Sequence, residues 1–149
     1  MSGNSAKPIA MACDHGGYEL KQTLARDLAD GGYEVLDLGT DSVDSVDYPD
    51  YAELLAQSIR DGRAEQGVLI CGSGIGMSIA ANRHCEIRAA LVHETNTAEL
   101  ARQHNDANVI VFGGRFLDAD MARDCLHIFL TTESEGGRHT RRVAKLSQP

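Results

Sequence analysis

The chain has 149 residues, 42% of them hydrophobic, with a formal net charge of −8 and an isoelectric point near 5.1. That length suits one domain with its own core over residues 1–149, and the acidic balance excludes the broad basic footprint that nucleic acid or an anionic membrane surface needs. No apolar run approaches the roughly 20 residues of a membrane span, and the N-terminal MSGNSAKP lacks the apolar stretch of a secretory signal. A cytoplasmic protein is therefore expected, with residues 1–7 as a flexible N-terminal extension. Cys13, Cys71, Cys85 and Cys125 are far apart and form no C-x-x-C pair or Cys/His cluster. They predict free thiols, with neither a disulfide framework nor a zinc site.

Taken in chain order, apolar runs alternate with amphipathic segments. PIAMAC (8–13) is short and mostly apolar and predicts a strand buried on both faces. Leu20, Leu24 and Leu28 then recur at one-turn spacing, which predicts a helix closed by Gly31-Gly32. YEVLDL (33–38) predicts the second strand. Tyr51, Leu55 and Ile59 predict the second helix, with Pro49 in its opening turn. GVLIC (67–71) is the third predicted strand, followed by a helix carrying Ile75 and Ile79 on one stripe. RAALVH (88–93) is the fourth, followed by a helix with Ala98 inward and Arg102 outward, and NVIVFG (108–113) is the fifth. Alternating β and α elements with short connections imply an α/β fold: a doubly wound, Rossmann-like three-layer sandwich around a five-stranded parallel sheet, with right-handed crossovers. Ligands of such sheets sit outside the carboxyl ends of the strands.

The first strand ends in Cys13-Asp14-His15-Gly16-Gly17, which places a carboxylate and an imidazole at a strand tip. Either they serve chemistry there, or Asp14 caps the following turn and His15 is a solvated loop residue. Cys13 reads as a small buried hydrophobe. The third strand runs into Cys71-Gly72-Ser73-Gly74-Ile75-Gly76. Its alternating glycines allow close backbone approach to a ligand, and its amides offer fixed donors to a phosphate or a developing oxyanion. The pattern is neither the G-x-G-x-x-G fingerprint nor a P-loop, so dinucleotide binding is disfavoured. Cys71 at the strand end suits a base or nucleophile, against the alternative of inert packing.

Arg102-Gln103-His104-Asn105-Asp106 is expected in a loop beyond the fourth helix. It concentrates proton-transfer groups, or else it is an Asn/Asp turn. Arg138 and Arg142 are one helical turn apart and fit either a guanidinium clamp for a phosphate or a solvated basic helix end.

The segments CDHGG (13–17), DYPDYA (47–52), ICGSGIGMSIAANR (70–83), RQHNDANV (102–109), FGGR (112–115) and EGGRHTRRV (135–143) occur in the order and spacing of one known family. On these segments, over nearly the whole length, the chain resembles the type B ribose-5-phosphate isomerases. The wider family also holds galactose-6-phosphate isomerase subunits, allose-6-phosphate isomerase and tetrose-phosphate isomerases. The resemblance implies an aldose–ketose isomerase that needs no metal or other cofactor and interconverts ribose 5-phosphate and ribulose 5-phosphate through an enediolate.

It further implies Cys71 as the base that shuttles the carbon-bound proton, and His104, with Asp14 and Ser73, as the ring-opening set. The loop amides from Ser73 to Gly76 would hold the enediolate charge, with Gly72, Gly74, Ile75 and Gly76 lining the substrate. His15, Arg115, Arg138 and Arg142 match phosphate-binding positions, and Tyr48 and Asn105 match substrate-contacting ones. Some members use a glutamate just after the glycine loop, where this chain has Met77. In relatives the pocket is shared between subunits, with His104, Asn105 and Arg115 arriving from the partner. A homodimer with shared active sites, or a dimer of dimers, is implied. The rival readings are an isomerase of a four- or six-carbon sugar phosphate and a non-catalytic sugar-phosphate-binding module on the same scaffold.

Overall fold

A computed structural model describes residues 6–149. Five strands, β1 (Ile9–Cys13), β2 (Val35–Asp37), β3 (Gln66–Cys71), β4 (Ala89–Leu91) and β5 (Val109–Gly113), pair in the order β2-β1-β3-β5-β4. Every pairing is parallel. Six α-helices accompany them among the described residues: α1 (Tyr18–Asp30), α2 (Tyr48–Arg60), α3 (Ile75–Ala81), α4 (Thr95–Asn105), α5 (Ala119–Thr131) and α6 (Arg138–Leu146). The predicted three-layer α/β fold is borne out. Of the extension expected for residues 1–7, residues 1–5 lie outside the described residues, and Lys7 lies 3.8 Å from Glu65 in an ion pair.

Side chains of successive strand residues point to opposite faces, and the central strands use both. Ile9, Met11, Cys13, Val68, Ile70, Ile110 and Phe112 pack with α1, α4 and α5, whereas Ala10, Ala12, Leu69, Cys71, Val109 and Val111 pack with α2 and α3. This division follows from crossover handedness. The connections β1 to β2 and β4 to β5 move one way along the sheet, and those from β2 to β3 and β3 to β4 move the other way. A right-handed crossover therefore places α1 and α4 on one face and α2 and α3 on the other. The chain leaves the neighbouring strands β1 and β3 in opposite directions, so their carboxyl ends form a topological switch point.

The expected helix signals hold where they are local. Tyr33 N–H bonds Leu28 O at 2.9 Å and Gly32 N–H bonds Ala29 O at 3.1 Å, a Schellman closure of α1 with Gly32 at φ +89. Pro49 stands in the first turn of α2. The edge strands β2 and β4 are shorter than the apolar runs that signalled them, because each has a neighbour on one side only.

Three expectations are corrected. Ile75 and Ile79 do lie on a helix, but they are 56% and 62% exposed, while Met77 and Ala81 supply its buried face. Arg102 does not point outward. Its guanidinium sits 5.6 Å from the Phe129 ring centre and donates to Thr132 O at the end of α5 and to Ala107 O just beyond α4. The segment 102–105 is the last turn of α4 rather than a loop, and the left-handed Asp106 (φ 44) ends it. The sequence reading also omitted α5, which Asp118 caps by accepting from Met121 N–H at 2.8 Å.

Lys21 of α1 is 1% exposed, and its Nζ lies 2.6 Å from Asp37 Oδ1 at the end of β2. The same oxygen accepts Gly39 N–H at 2.9 Å. An ammonium that has left water depends on its counter-charge, so the two halves of the pair are not equivalent. Asp37→Ala, which strands the buried cation, is expected to destabilise the fold by about 3 kcal/mol or more. Lys21→Met leaves only a half-exposed carboxylate and is expected to cost less. Urea unfolding of both variants checks that order.

Candidate functional site

The carboxyl ends of β1, β3 and β5 meet backbone to backbone. Asp14 N–H donates to Ile70 O at 3.1 Å, Gly114 N–H to Cys71 O at 2.8 Å, and Arg115 N–H to Gly72 O at 3.0 Å. Such an approach leaves no room for side chains. A Cβ on Gly113 would lie 2.5 Å from Ser73 O, and one on Gly74, already at φ +81, would lie 2.5 Å from Leu91 Cδ1. The FGGR and GSGIG segments are thus two halves of one close contact.

Around this contact the structure gathers Asp14, His15, Tyr48, the loop from Cys71 to Gly76, and Arg115. Asp14 is buried and its Oδ1 accepts Gly16 N–H at 2.9 Å, so the capping reading holds for it. His15 Nδ1 accepts Val46 N–H at 3.2 Å. Because an amide can only donate, the neutral ring carries its proton on Nε2. Cys71 is buried, and Gly74 N–H donates to its Sγ at 3.2 Å. Ser73 Oγ accepts Ile75 N–H at 3.2 Å, which leaves its own hydroxyl proton available to donate. Of the loop amides, those of Gly74 and Ile75 are thereby engaged. Those of Ser73 and Gly76 meet no acceptor among the described residues.

The ring of Tyr48 covers Gly76, where a Cβ would lie 2.6 Å from it, and the Arg115 guanidinium covers Gly72, where a Cβ would lie 3.2 Å from Cζ. Arg115 thus lies on its own chain's loop, in contrast to the partner origin that the resemblance implies, because it directly follows β5, the neighbour of β3. Met77 is fully buried in the core beside α2 and offers no group to this end of the sheet.

The other expected residues lie elsewhere. In a parallel sheet each helix runs back toward the amino ends of the strands, so the last turn of α4, with His104 and Asn105, lies at the opposite end from Cys71. A five-residue strand separates the two ends by about 16 Å. Arg138 and Arg142 accompany His104, because α6 packs on α4 and Glu135 N–H bonds Gln103 O at 3.0 Å. Both arginines are exposed, and Arg142 Nη1 donates to Arg138 O at 3.0 Å. The His104 ring stacks on His139, with ring centres 4.4 Å apart. The sequence reading gave His139 no role, although it lies in the EGGRHTRRV segment.

Cys13, Cys71, Cys85 and Cys125 are all free. Burial pushes the Cys13 thiol up to about 12 and, with help from Asp124 and Glu94, the Cys125 thiol to about 11. Both are inert packing groups at neutral pH. No helix among the described residues is long and apolar enough to cross a membrane.

Residues 9–146 match the family model described as Ribose/Galactose Isomerase. The chain is 43% identical to the ribose-5-phosphate isomerase B of Escherichia coli K12 over 141 residues, covering 95% of each. Among solved structures it is similar to a ribose 5-phosphate isomerase from Thermotoga maritima, with a TM-score of 0.93 and 48% identity over 96% of this chain and 99% of that one. It is also similar to the ribose-5-phosphate isomerase B of Mycoplasma genitalium solved with bound ribulose-5-phosphate. That likeness has a TM-score of 0.91 and 38% identity over 97% of this chain and 96% of the other. With its fold and nearly its whole length matched, the chain belongs to the ribose/galactose isomerase family of sugar-phosphate isomerases and is an aldose–ketose isomerase.

Proposed function

We propose that this isomerase interconverts ribose 5-phosphate and ribulose 5-phosphate in an active site shared by two copies of the chain. The observation that carries this reading is the division of the site. Cys71, its loop, Asp14, His15, Tyr48 and Arg115 lie at one end of the sheet, and His104, Asn105, Arg138 and Arg142 lie at the other. One chain cannot bring both sets to a five-carbon substrate, whereas a two-fold pairing that sets the amino end of one sheet against the carboxyl end of its partner supplies both sets twice. The exposed Ile75 and Ile79 of α3 and the exposed Leu54 of α2, the helix packed beside it, provide apolar surface for such a pairing.

In this reading His104 of the second copy, with Asp14 and the free hydroxyl proton of Ser73, opens the sugar ring by moving a proton between hydroxyl and ring oxygen. Cys71 then removes the proton beside the carbonyl and returns it to the neighbouring carbon. The unengaged amides of Ser73 and Gly76 stabilise the negative enediolate oxygen between those steps. Cys71 has no competitor as base, since Met77 is buried in the core where some relatives have a glutamate in sequence. His15 Nε2, Arg115, Arg138 and Arg142 anchor the phosphate. Binding energy at that non-reacting end positions the reacting carbons against the thiol.

Three measurements test these assignments. Cys71→Ala is expected to lower kcat by about 10²–10⁴-fold while sugar-phosphate binding persists; substantial turnover in a pure sample removes Cys71 as the base. Arg142→Ala removes a charge-assisted bond and is expected to lower kcat/KM by roughly 10–100-fold, chiefly through KM. An unchanged KM breaks the anchoring role. The third has two parts, one for the substrate and one for the sharing. A panel of four-, five- and six-carbon aldose phosphates is expected to give the highest kcat/KM with ribose 5-phosphate. Co-expression of Cys71→Ala with His104→Ala chains is expected to restore about a quarter of wild-type activity, because half of the mixed dimers' sites are intact. No recovery would place both groups in one chain's site.

A further inference from the structure

The amino-end cluster contains more than a ring-opening histidine. Glu135 Oε1 lies 3.8 Å from Nε2 of His104 and 3.8 Å from Nε2 of His139. One ligand atom from each of these residues falls within 4.8 Å of the others. Neither imidazole has a closer carboxylate partner among the described residues. We propose that His104, Glu135 and His139 form a binding site for a divalent transition cation of the zinc class, and that occupancy removes His104 from proton transfer, so that the ion is a reversible inhibitor. The second half rests on the ring-opening role proposed for His104, and the first does not.

The donor set is apt: two imidazole nitrogens and one carboxylate oxygen are a familiar three-ligand zinc set that leaves a fourth position to water. Zinc holds such ligands at about 2.0–2.2 Å, which sets them about 3.3–3.5 Å from one another. Glu135, at 3.8 Å from each ring, needs a contraction of about 0.5 Å, and the cluster as a whole lies within 4.8 Å, so one of the stacked rings, now 13° from parallel, must also turn to aim its lone pair at the ion. The backbone that carries these ligands is already tied down. Arg102 Nε donates to Thr132 O at 3.0 Å, and Glu135 N–H donates to Gln103 O at 3.0 Å, fastening residues 132–135 to the last turn of α4. His139 N–H bonds Gly136 O at 3.1 Å in the turn that opens α6, where Gly136 and Gly137 have positive φ.

Charge acts in both directions. Partial desolvation, the neighbouring His104 and the cation of Arg138 hold His139 below its ordinary pKa. The same Arg138 and Arg142 repel a dication, and the Glu135 carboxylate offsets part of that. A moderate, exchangeable site follows, one that a chelator empties.

The test is a calorimetric titration of Zn²⁺ into the chelator-treated full chain without sugar phosphate, together with the visible absorption of bound Co²⁺, whose bands report nitrogen and oxygen ligation. The expected result is one ion per chain, weakened by roughly tenfold or more in both Glu135→Gln and His139→Ala and unchanged in Cys71→Ala and His84→Ala. Thermal melting establishes that each variant is folded. Absence of binding, or binding that survives both ligand substitutions, overturns the site. Binding lost in Cys71→Ala or His84→Ala assigns the ion elsewhere and overturns it equally. In activity assays Zn²⁺ is expected to inhibit, chelator to restore the rate, and Glu135→Gln to resist inhibition. If the ion binds as expected and the rate does not fall, the inhibition and the ring-opening role of His104 fail, and the metal site stands.

Discussion

The close approach of the tips of β1, β3 and β5 governs the carboxyl end of this molecule. Three backbone hydrogen bonds, from Asp14 to Ile70, Gly114 to Cys71 and Arg115 to Gly72, tie segments that are far apart in sequence. They can form because glycine stands wherever a side chain would intervene, most clearly at Gly74 and Gly113. The packed sheet beneath holds these tips in register, since Met11, Val68 and Ile110 on one face and Ala12, Leu69 and Val111 on the other are buried. The result is a loop whose conformation is fixed before any ligand arrives. Fixed amide donors act on a developing charge without first having to be ordered.

The same sheet imposes a division. Parallel strands require return helices, and a return helix carries its last turn to the amino ends of the strands. His104 and Asn105 are thereby excluded from the end that holds Cys71, whatever their chemistry. Met77 shows a related effect on a smaller scale. It directly follows the glycine loop in sequence, yet helical phase turns it into the core, while Ile75 and Ile79 face outward.

What was legible in the sequence follows the range of the interaction that fixes each feature. The buried central strands could be read directly, because a strand covered on both faces must be apolar throughout, and IAMAC and VIVFG are. The Schellman closure at Gly32 and the opening of α2 at Pro49 are local and were legible for that reason. The direction in which a stripe faces was not. Two isoleucines one turn apart look the same whether they face a core or another molecule. Arg102 reads as a surface charge until Phe129 and the carbonyls of Ala107 and Thr132, from distant elements, are set around it. Helix α5 carried a signal that went unused: Asp118 as cap, then Ala122, Cys125, Leu126 and Phe129 at helical spacing. The neighbours of His104 were hidden more deeply. Glu135 and His139 are four residues apart in one segment, but Glu135 precedes α6 across the positive-φ Gly136 and Gly137, and only the packing of α6 on α4 brings His104 to them.

Segregation of the two residue sets also gives their charges separate surroundings. Arg138, Arg141 and Arg142 project from an exposed helix at the amino end of a chain whose net charge is −8. The loop at the carboxyl end has Arg115 as its nearby cation. Neither end alone holds both sets of residues. In the proposed pairing the basic helix of one copy faces the amide-rich loop of the other, so each subunit presents what the other lacks and attraction to an anionic substrate appears only in the assembly. Association would then be linked to the substrate by mass action, since a ligand that contacts two chains favours the paired state over the separate ones. Apolar burial of residues such as Ile75 and Ile79 would supply the non-directional part of that association, and the sugar phosphate the directional part.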